Sequence, residues 1–172
     1  MLVSNLFFLN CTNYILSGEL TTLKSLKLQT GIFENLEPLK KLTNLENLSL
    51  TSCKFYKNNN SNFFPYMKHL TRLEIIMCPS LKSDGMQRFS ELPNLKCLQL
   101  SYLTLQTFSF VTSLMNLNAL SLVGFQLSDE DVNSLLTVNS LYNIQLFKCN
   151  SLHDRTIQNL IMNDVNKKII CM

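Results

Sequence analysis

One short apolar pattern occurs seven times along the 172-residue chain and restricts its possible folds more than any other feature. Apolar residues stand at the first, fourth and sixth positions of each copy, and Cys or another apolar residue usually stands at the ninth. Of these 28 positions, 27 are apolar or Cys, whereas an apolar content of 46% would fill about 13 by chance. The copies are Val3-Leu6-Phe8-Cys11, Leu23-Leu26-Leu28-Gly31, Leu45-Leu48-Leu50-Cys53, Leu70-Leu73-Ile75-Cys78, Leu95-Leu98-Leu100-Leu103, Leu117-Leu120-Leu122-Phe125 and Leu141-Ile144-Leu146-Cys149. They begin 20 to 25 residues apart, which is typical of a solenoid of stacked repeats.

Each copy divides into a strand half and a helical half. The alternation of apolar and variable residues predicts short strands starting near residues 3, 23, 45, 70, 95, 117 and 141. Threefold apolar spacing then predicts a helix or 3₁₀ turn before the next strand. It occurs at Leu36-Leu39-Leu42, Met86-Phe89-Leu92, Phe108-Val111-Leu114 and Val132-Leu135-Val138. In the third copy Pro65 predicts an irregular segment instead.

An eighth strand is a further candidate, starting near residue 165. Val165 lies 24 residues after Leu141, and this register places Lys168 in a position that is apolar in the other copies. A charge there would discourage further stacking. Neither end of the chain has a convincing polar cap, which is compatible either with a fragment of a longer protein or with a covered edge.

The spacing resembles that of the leucine-rich repeat, L-x-x-L-x-L-x-x-N/C-x-L, over nearly the whole chain. The resemblance implies an α/β solenoid, a curved right-handed arc with a parallel sheet of seven to eight strands on its concave side. Helices, 3₁₀ turns and loops would form the convex side, and residues 1–172 would form a single domain. The 22-residue copies resemble the short repeat type, as in residues 36–45. Cys78-Pro79-Ser80-Leu81 and Cys149-Asn150-Ser151-Leu152 resemble the cysteine-containing, ribonuclease-inhibitor-like type found in F-box substrate receptors.

Composition argues against a nucleic-acid-binding protein and a membrane-spanning protein, and it favours an intracellular one. The net charge of +3 is mild, and the longest basic runs are the pairs Lys40-Lys41 and Lys167-Lys168, so no nucleic-acid partner is expected. No stretch of 18 apolar residues predicts a membrane span. Four of the six Cys stand at the ninth position of a copy, where packing accounts for them without disulfides. Free buried thiols favour an intracellular setting, cytoplasmic or nuclear.

The residues between the inward-pointing leucines should form the exposed face of the sheet. An apolar strip is predicted where the strands end, at what is called here the descending edge of the sheet. The strip and a polar rim beside it are together the candidate partner-binding site. The strip consists of Ile76, Met77, Tyr102, Val123 and Phe147, and the rim consists of Arg72, Glu74, Gln99, Gln145 and Lys148. The alternative is that the strip residues fold under the loops as secondary core.

Catalytic chemistry is not indicated. The two His lack a neighbouring nucleophile at a recognisable spacing, and no glycine-rich phosphate loop occurs, so neither a catalytic site, a cofactor nor a metal is predicted. Asp129-Glu130-Asp131 follows Ser128 and is better explained as a helix N-terminus than as a metal site. The leading hypothesis is a non-catalytic protein-interaction module, in one version the substrate-recognition part of a ubiquitin ligase. The alternatives are a regulatory subunit that docks on an enzyme such as a phosphatase, or the repeat portion of a larger enzyme.

Overall fold

Eight short parallel strands form the main sheet of the computed structural model. The structure describes residues 4–9, 20–34, 36–56, 63–81, 87–105, 107–149, 158 and 167–171. The main strands are β1 (Asn5–Leu9), β2 (Ser25–Gln29), β4 (Asn47–Thr51), β6 (Arg72–Ile76), β7 (Cys97–Ser101), β8 (Ala119–Val123), β9 (Asn143–Phe147) and β10 (Lys168–Cys171). Each pairs in parallel with the next main strand along the chain, so the order of the strands in the sheet is their order in the sequence.

Equivalent positions of successive copies lie opposite each other across the sheet. Leu26 faces Leu48, and the same column continues through Leu73 and Leu98. This register follows from the period of two in strands, because a slip of one residue would turn every leucine outward.

The eighth strand exists, but its register differs by one residue from the predicted one. Ile169 lies opposite Ile144, and Cys171 lies opposite Leu146, so these two side chains take the inward positions. Lys168 lies opposite Asn143 and is exposed, so the prediction that it occupies an apolar position was wrong. Packing of Ile169 and Cys171 against the core favours this register over one that would bury an ammonium group.

Short helical segments connect the strands on the opposite side. They are the 3₁₀ helices Glu37–Lys41, Phe64–Tyr66, Gln87–Glu91 and Ser109–Ser113, and the α-helix α1 (Asp129–Thr137). The predicted threefold positions are buried, with Leu39, Phe89, Val111 and Leu135 fully inaccessible. Met86 lies outside the described residues.

The segment around Pro65 is a short 3₁₀ helix, so the prediction of an irregular segment there was wrong. Pro65 stands in the first turn, where its missing N–H group costs no hydrogen bond. Phe64 and Met67 on either side are fully buried.

Aromatic rings join the repeats behind the sheet. Phe64 packs edge-on against Phe89 with ring centroids 4.9 Å apart, and Phe89 packs in the same way on Phe110 at 5.3 Å. On the descending side, β3 (Ile32–Phe33) and β5 (Lys54–Phe55) form a two-stranded sheet in which Phe33 stacks on Phe55. The described residues therefore form a leucine-rich-repeat solenoid with one continuous core, which confirms the predicted fold class.

Candidate protein-interaction face

The face of the main sheet that points away from the core, called here the sheet face, is built from three outward columns and the residue after each strand. The central column consists of Phe7, Lys27, Ser49, Glu74, Gln99, Ser121, Gln145 and Ile170. These residues lie side by side because their neighbours in sequence are fixed in the core.

The residue that follows each strand has a positive φ in six successive repeats. Thr30, Ser52, Met77, Tyr102 and Lys148 have φ of 50–53°, and Gly124 has φ of 75°. The first five backbone N–H groups of this series, those of residues 30, 52, 77, 102 and 124, donate to carbonyl oxygens of the next repeat at 2.8–2.9 Å. These hydrogen bonds hold a conformation that non-glycine residues rarely adopt. They also fix the descending edge of the sheet face.

The predicted apolar strip lies on this edge. Met77 and Tyr102 are 53% and 48% exposed, and they occupy the positive-φ position of adjacent repeats. Ile76, Val123 and Phe147 are half-buried in the neighbouring column. Ser101, which lies in register between Ile76 and Val123, is 4% exposed. The strip is therefore neither fully open nor folded away as secondary core.

The Tyr102 ring lies directly over Gly124. A Cβ atom built on Gly124 would lie 2.5 Å from both Cδ1 and Cε1 of that ring. The absence of a side chain at position 124 thus gives the ring its place on the sheet face. Lys148, the next residue in the series, is exposed at the end of the strip.

The other rim residues of the predicted binding site lie on strands β6, β7 and β9, beside two depressions of the sheet face. Arg72 and Glu74 stand on β6, with Nη1 of Arg72 3.9 Å from Oε1 of Glu74. Gln99 and Gln145 are half-buried on β7 and β9. Two open depressions of about 260 Å³ each lie on either side of the β6 pair, and both are lined by Arg72 and Glu74.

Cysteine occupies the ninth position in several copies, where the leucine-rich-repeat pattern allows either Asn or Cys. The Sγ atom of Cys53 donates to the carbonyl oxygen of Leu28 at 3.5 Å, and Cys78 donates to that of Leu50 at 3.5 Å. The hydrogen bond with Cys53, together with burial, raises the pKa of the Cys78 thiol. Cys97 stands apart from this column, half-buried on the sheet face opposite Arg72.

Asp131 of the acidic trio completes a capping box at the start of α1, and Asp129 and Glu130 lie in the same first turn. The Ser128 side chain accepts from the Asp131 N–H at 3.1 Å, and the Ser128 N–H donates to Asp131 Oδ2 at 3.0 Å. Asp131 Oδ1 also accepts from the backbone N–H of Phe108, in the preceding repeat, at 3.1 Å. Among the residues that the structure describes, no three His, Cys, Asp or Glu side chains cluster as metal ligands would.

Sequence reasoning missed a series of asparagines in the turns before the strands. The Nδ2 atoms of Asn44, Asn94 and Asn116 each donate to a carbonyl oxygen of the preceding repeat, at 2.7–2.8 Å. The sequence could have revealed this series, because each of these asparagines directly precedes the first leucine of a copy. No helix within the described part of the chain has the length and apolar character needed to cross a membrane.

Comparisons with known proteins bear on the fold. Neither a protein-family model nor a curated protein sequence matches the chain. A solved internalin from Listeria monocytogenes is similar to it, with a TM-score of 0.73 and 21% sequence identity. The match covers 95% of this chain and 47% of the internalin, so the chain spans about half the length of that protein. The similarity concerns the solenoid, and it carries no repeat subtype, partner or role over to this chain.

Proposed function

We propose that this chain is a non-catalytic module that binds a protein partner through its sheet face, with the apolar strip at the centre of the contact. One observation carries the proposal: two large apolar side chains, Met77 and Tyr102, are about half-exposed on adjacent repeats. They adjoin the half-buried Ile76, Val123 and Phe147, and the polar rim residues lie along one side of the group and at its end. Apolar and aromatic centres with polar rims are characteristic of protein interfaces.

The rigidity of the surface supports the same proposal. The six inner strands of the main sheet, β2, β4, β6, β7, β8 and β9, are hydrogen-bonded on both sides, and the positive-φ residues extend that ladder by one residue. A surface that is already ordered loses little conformational entropy on binding, so more of the contact energy remains as affinity.

Two finer versions of the proposal differ in the partner. The substrate-recognition part of a ubiquitin ligase is supported by the Cys residues at the ninth position, as in Cys78 and Cys149. A regulatory subunit that docks on a phosphatase is supported by the short repeat at residues 36–45. We also propose a reducing, intracellular setting, since the described thiols are free and two of them, Cys53 and Cys78, are buried.

Site-specific photo-crosslinking in a cell lysate tests the face directly. A benzophenone amino acid replaces Tyr102 in one variant and Tyr66 in a matched control, which is 50% exposed on the 3₁₀ helix Phe64–Tyr66 behind the sheet. The proposal expects a discrete crosslinked protein from position 102 and none of the same mass from position 66. Equal crosslinking from both positions, or none from position 102, would remove the strip as a binding site.

The crosslinked partner then permits a quantitative measurement. Tyr102→Ala combined with Phe147→Ala should weaken its binding about 100-fold or more, because truncation of central aromatic contacts costs the most. Met77→Ala should also weaken binding, whereas its control Met115→Ala should not, since Met115 is 77% exposed in a turn outside the sheet face. A cullin adaptor protein co-purifying with the chain would favour the ligase version, and a phosphatase would favour the second.

A further inference from the structure

The outward residues at the first and third positions of the strands form what is called here the ascending half of the sheet face. We propose that it binds an extended acidic peptide segment of the partner, with one carboxylate held by Arg72. This inference rests on the proposed function and names the chemistry of the segment that the face accepts. It concerns a part of the sheet face that the apolar strip does not use.

Small side chains on the ascending half leave space for an occupant. The first depression lies over β2 and β4, where Ser25, Asn47 and Ser49 form its floor. The second lies over β7 and β8, where Cys97, Ala119 and Ser121 do so. Each measures about 260 Å³, which is enough for one or two amino-acid side chains.

Arg72 stands on the ridge between the two depressions. Its side chain is 55% exposed, and the contact that the structure gives for its guanidinium is the 3.9 Å approach to Glu74. That distance is too long for a hydrogen bond, so the fork of N–H donors is open to a ligand. A planar guanidinium matches the two oxygens of a carboxylate, which it binds through two parallel hydrogen bonds.

The charge of the sheet face favours an acidic occupant. Among its described residues, four side chains are basic and one is acidic: Lys27, Arg72, Lys148 and Lys168 against Glu74. Lys27 borders the first depression, and its ammonium group lies 5.6 Å from the centre of the Phe7 ring. On the path from β2 to β8 the basic side chains are Lys27 and Arg72 and the acidic one is Glu74, so a negatively charged segment meets a net positive charge there.

The spacing of the depressions matches an extended chain. Strands lie about 4.8 Å apart, and three strand spacings separate the middle of β2 and β4 from the middle of β7 and β8, so the centres of the two depressions are roughly 14 Å apart. An extended peptide rises about 3.3 Å per residue and would span this distance with about four residues. The acidic residue would lie over β6, and the side chains before and after it would enter the two depressions.

Selection from a phage-displayed library of random 12-residue peptides tests the proposal, with the full chain as bait. Three baits are compared: the wild type, Arg72→Glu, and the matched control Arg88→Glu on the 3₁₀ helix behind the sheet. The wild type and the control should enrich the same peptides, with Asp or Glu at a constant position. A synthetic peptide of the enriched sequence should bind Arg72→Ala at least tenfold more weakly, and Arg72→Glu should select Lys or Arg at that position.

Two further variants test the depressions. Ser49→Leu and Ala119→Leu should each weaken the peptide severalfold by filling one depression, with the unfolding transition used to verify that the variants are folded. The proposal is overturned if no peptide is enriched, if the enriched peptides lack a constant acidic position, or if Arg72→Glu retains them. It is also overturned if oligothymidine displaces the peptide at equal charge concentration, since the site would then bind polyanions in general.

Failure here is distinguishable from failure of the proposed function. A crosslink from position 102 without acidic peptide enrichment rejects the peptide site alone. Absence of that crosslink together with absence of enrichment rejects the sheet face as a whole.

Discussion

Gly124 is the residue at which a single methyl group would change the sheet face most. Its φ of 75° is unfavourable for other residues, and an added Cβ would lie 2.5 Å from the Tyr102 ring. We expect Gly124→Ala to lower the free energy of unfolding by about 1–3 kcal/mol, and to displace Tyr102. Urea denaturation measures the first effect, and crosslinking from position 102 measures the second.

A variant without the Tyr102 ring separates the cost of the backbone conformation at position 124 from the cost of the clash with the ring. In a Tyr102→Ala background, Gly124→Ala should cost only the backbone conformation, about 1–2 kcal/mol, because the clash is gone. An equal cost in both backgrounds would show that the ring does not lie over Gly124 in solution.

The thiols give the chain a pH-dependent stability at alkaline pH. Burial raises the pKa of Cys149, and burial followed by the charge of Cys149 raises the pKa of Cys171. Raised values mean that the folded state keeps protons that the unfolded chain loses, so this contribution is complete below pH 9 and declines above it. We expect the free energy of unfolding to fall as pH rises from about 9 to 10.5.

Comparison with a variant distinguishes the contribution of the two thiols to the pH dependence of stability from the contribution of tyrosine and lysine titration. The Cys149→Ala, Cys171→Ala double variant should show a shallower decline over the same pH range, measured by urea denaturation at each pH. A decline identical to that of the wild type would assign the pH dependence to other groups.

At the scale of elements, Asp131 links α1 to the preceding repeat. Its carboxylate completes the capping box with Ser128 and accepts from the Phe108 N–H. We expect Asp131→Ala to lower the free energy of unfolding by about 1–3 kcal/mol, since a cap and a second backbone donor both lose their partner. Thermal and urea denaturation provide the measurement.

Glu130→Ala is the matched control for this prediction, because Glu130 is an exposed acid in the same first turn. Its loss should cost about 0.5 kcal/mol or less, which reflects the helix dipole alone. Equal effects of the two substitutions would mean that charge near the helix end, rather than the capping geometry, stabilises α1.

At the scale of the whole molecule, stability should vary along the solenoid. Each repeat contacts only its neighbours, so an interior repeat is stabilised from both sides. Strands β6, β7 and β8 pair on both edges, whereas β1 and β10 pair on one edge among the described residues. Amide hydrogen exchange should therefore be slowest in β6 to β8 and faster in β1 and β10. Uniform protection across the eight strands would indicate a single cooperative unit.

The periodicity of the sequence determined the fold and the inward columns. Leucines at the first, fourth and sixth positions can all be buried only if the strands stack in parallel and in register, so Leu48, Leu73 and Leu98 could be assigned to the core without coordinates. The caps at Ser128 and Asp131 were also readable, because they depend on residues three apart. The same short-range pattern identified which residues point outward, but not how exposed they are.

Only the tertiary structure decided what depends on contacts between repeats. Competition between Ile169 and Lys168 for the inward position set the register of β10, and spacing from Leu141 alone gave the wrong answer. The half-exposure of Tyr102 depends on a glycine 22 residues later, and the place of Arg72 between two depressions depends on small side chains on β4 and β8. Such features arise when distant residues become neighbours in the sheet, and a local pattern carries no information about the space that those neighbours leave.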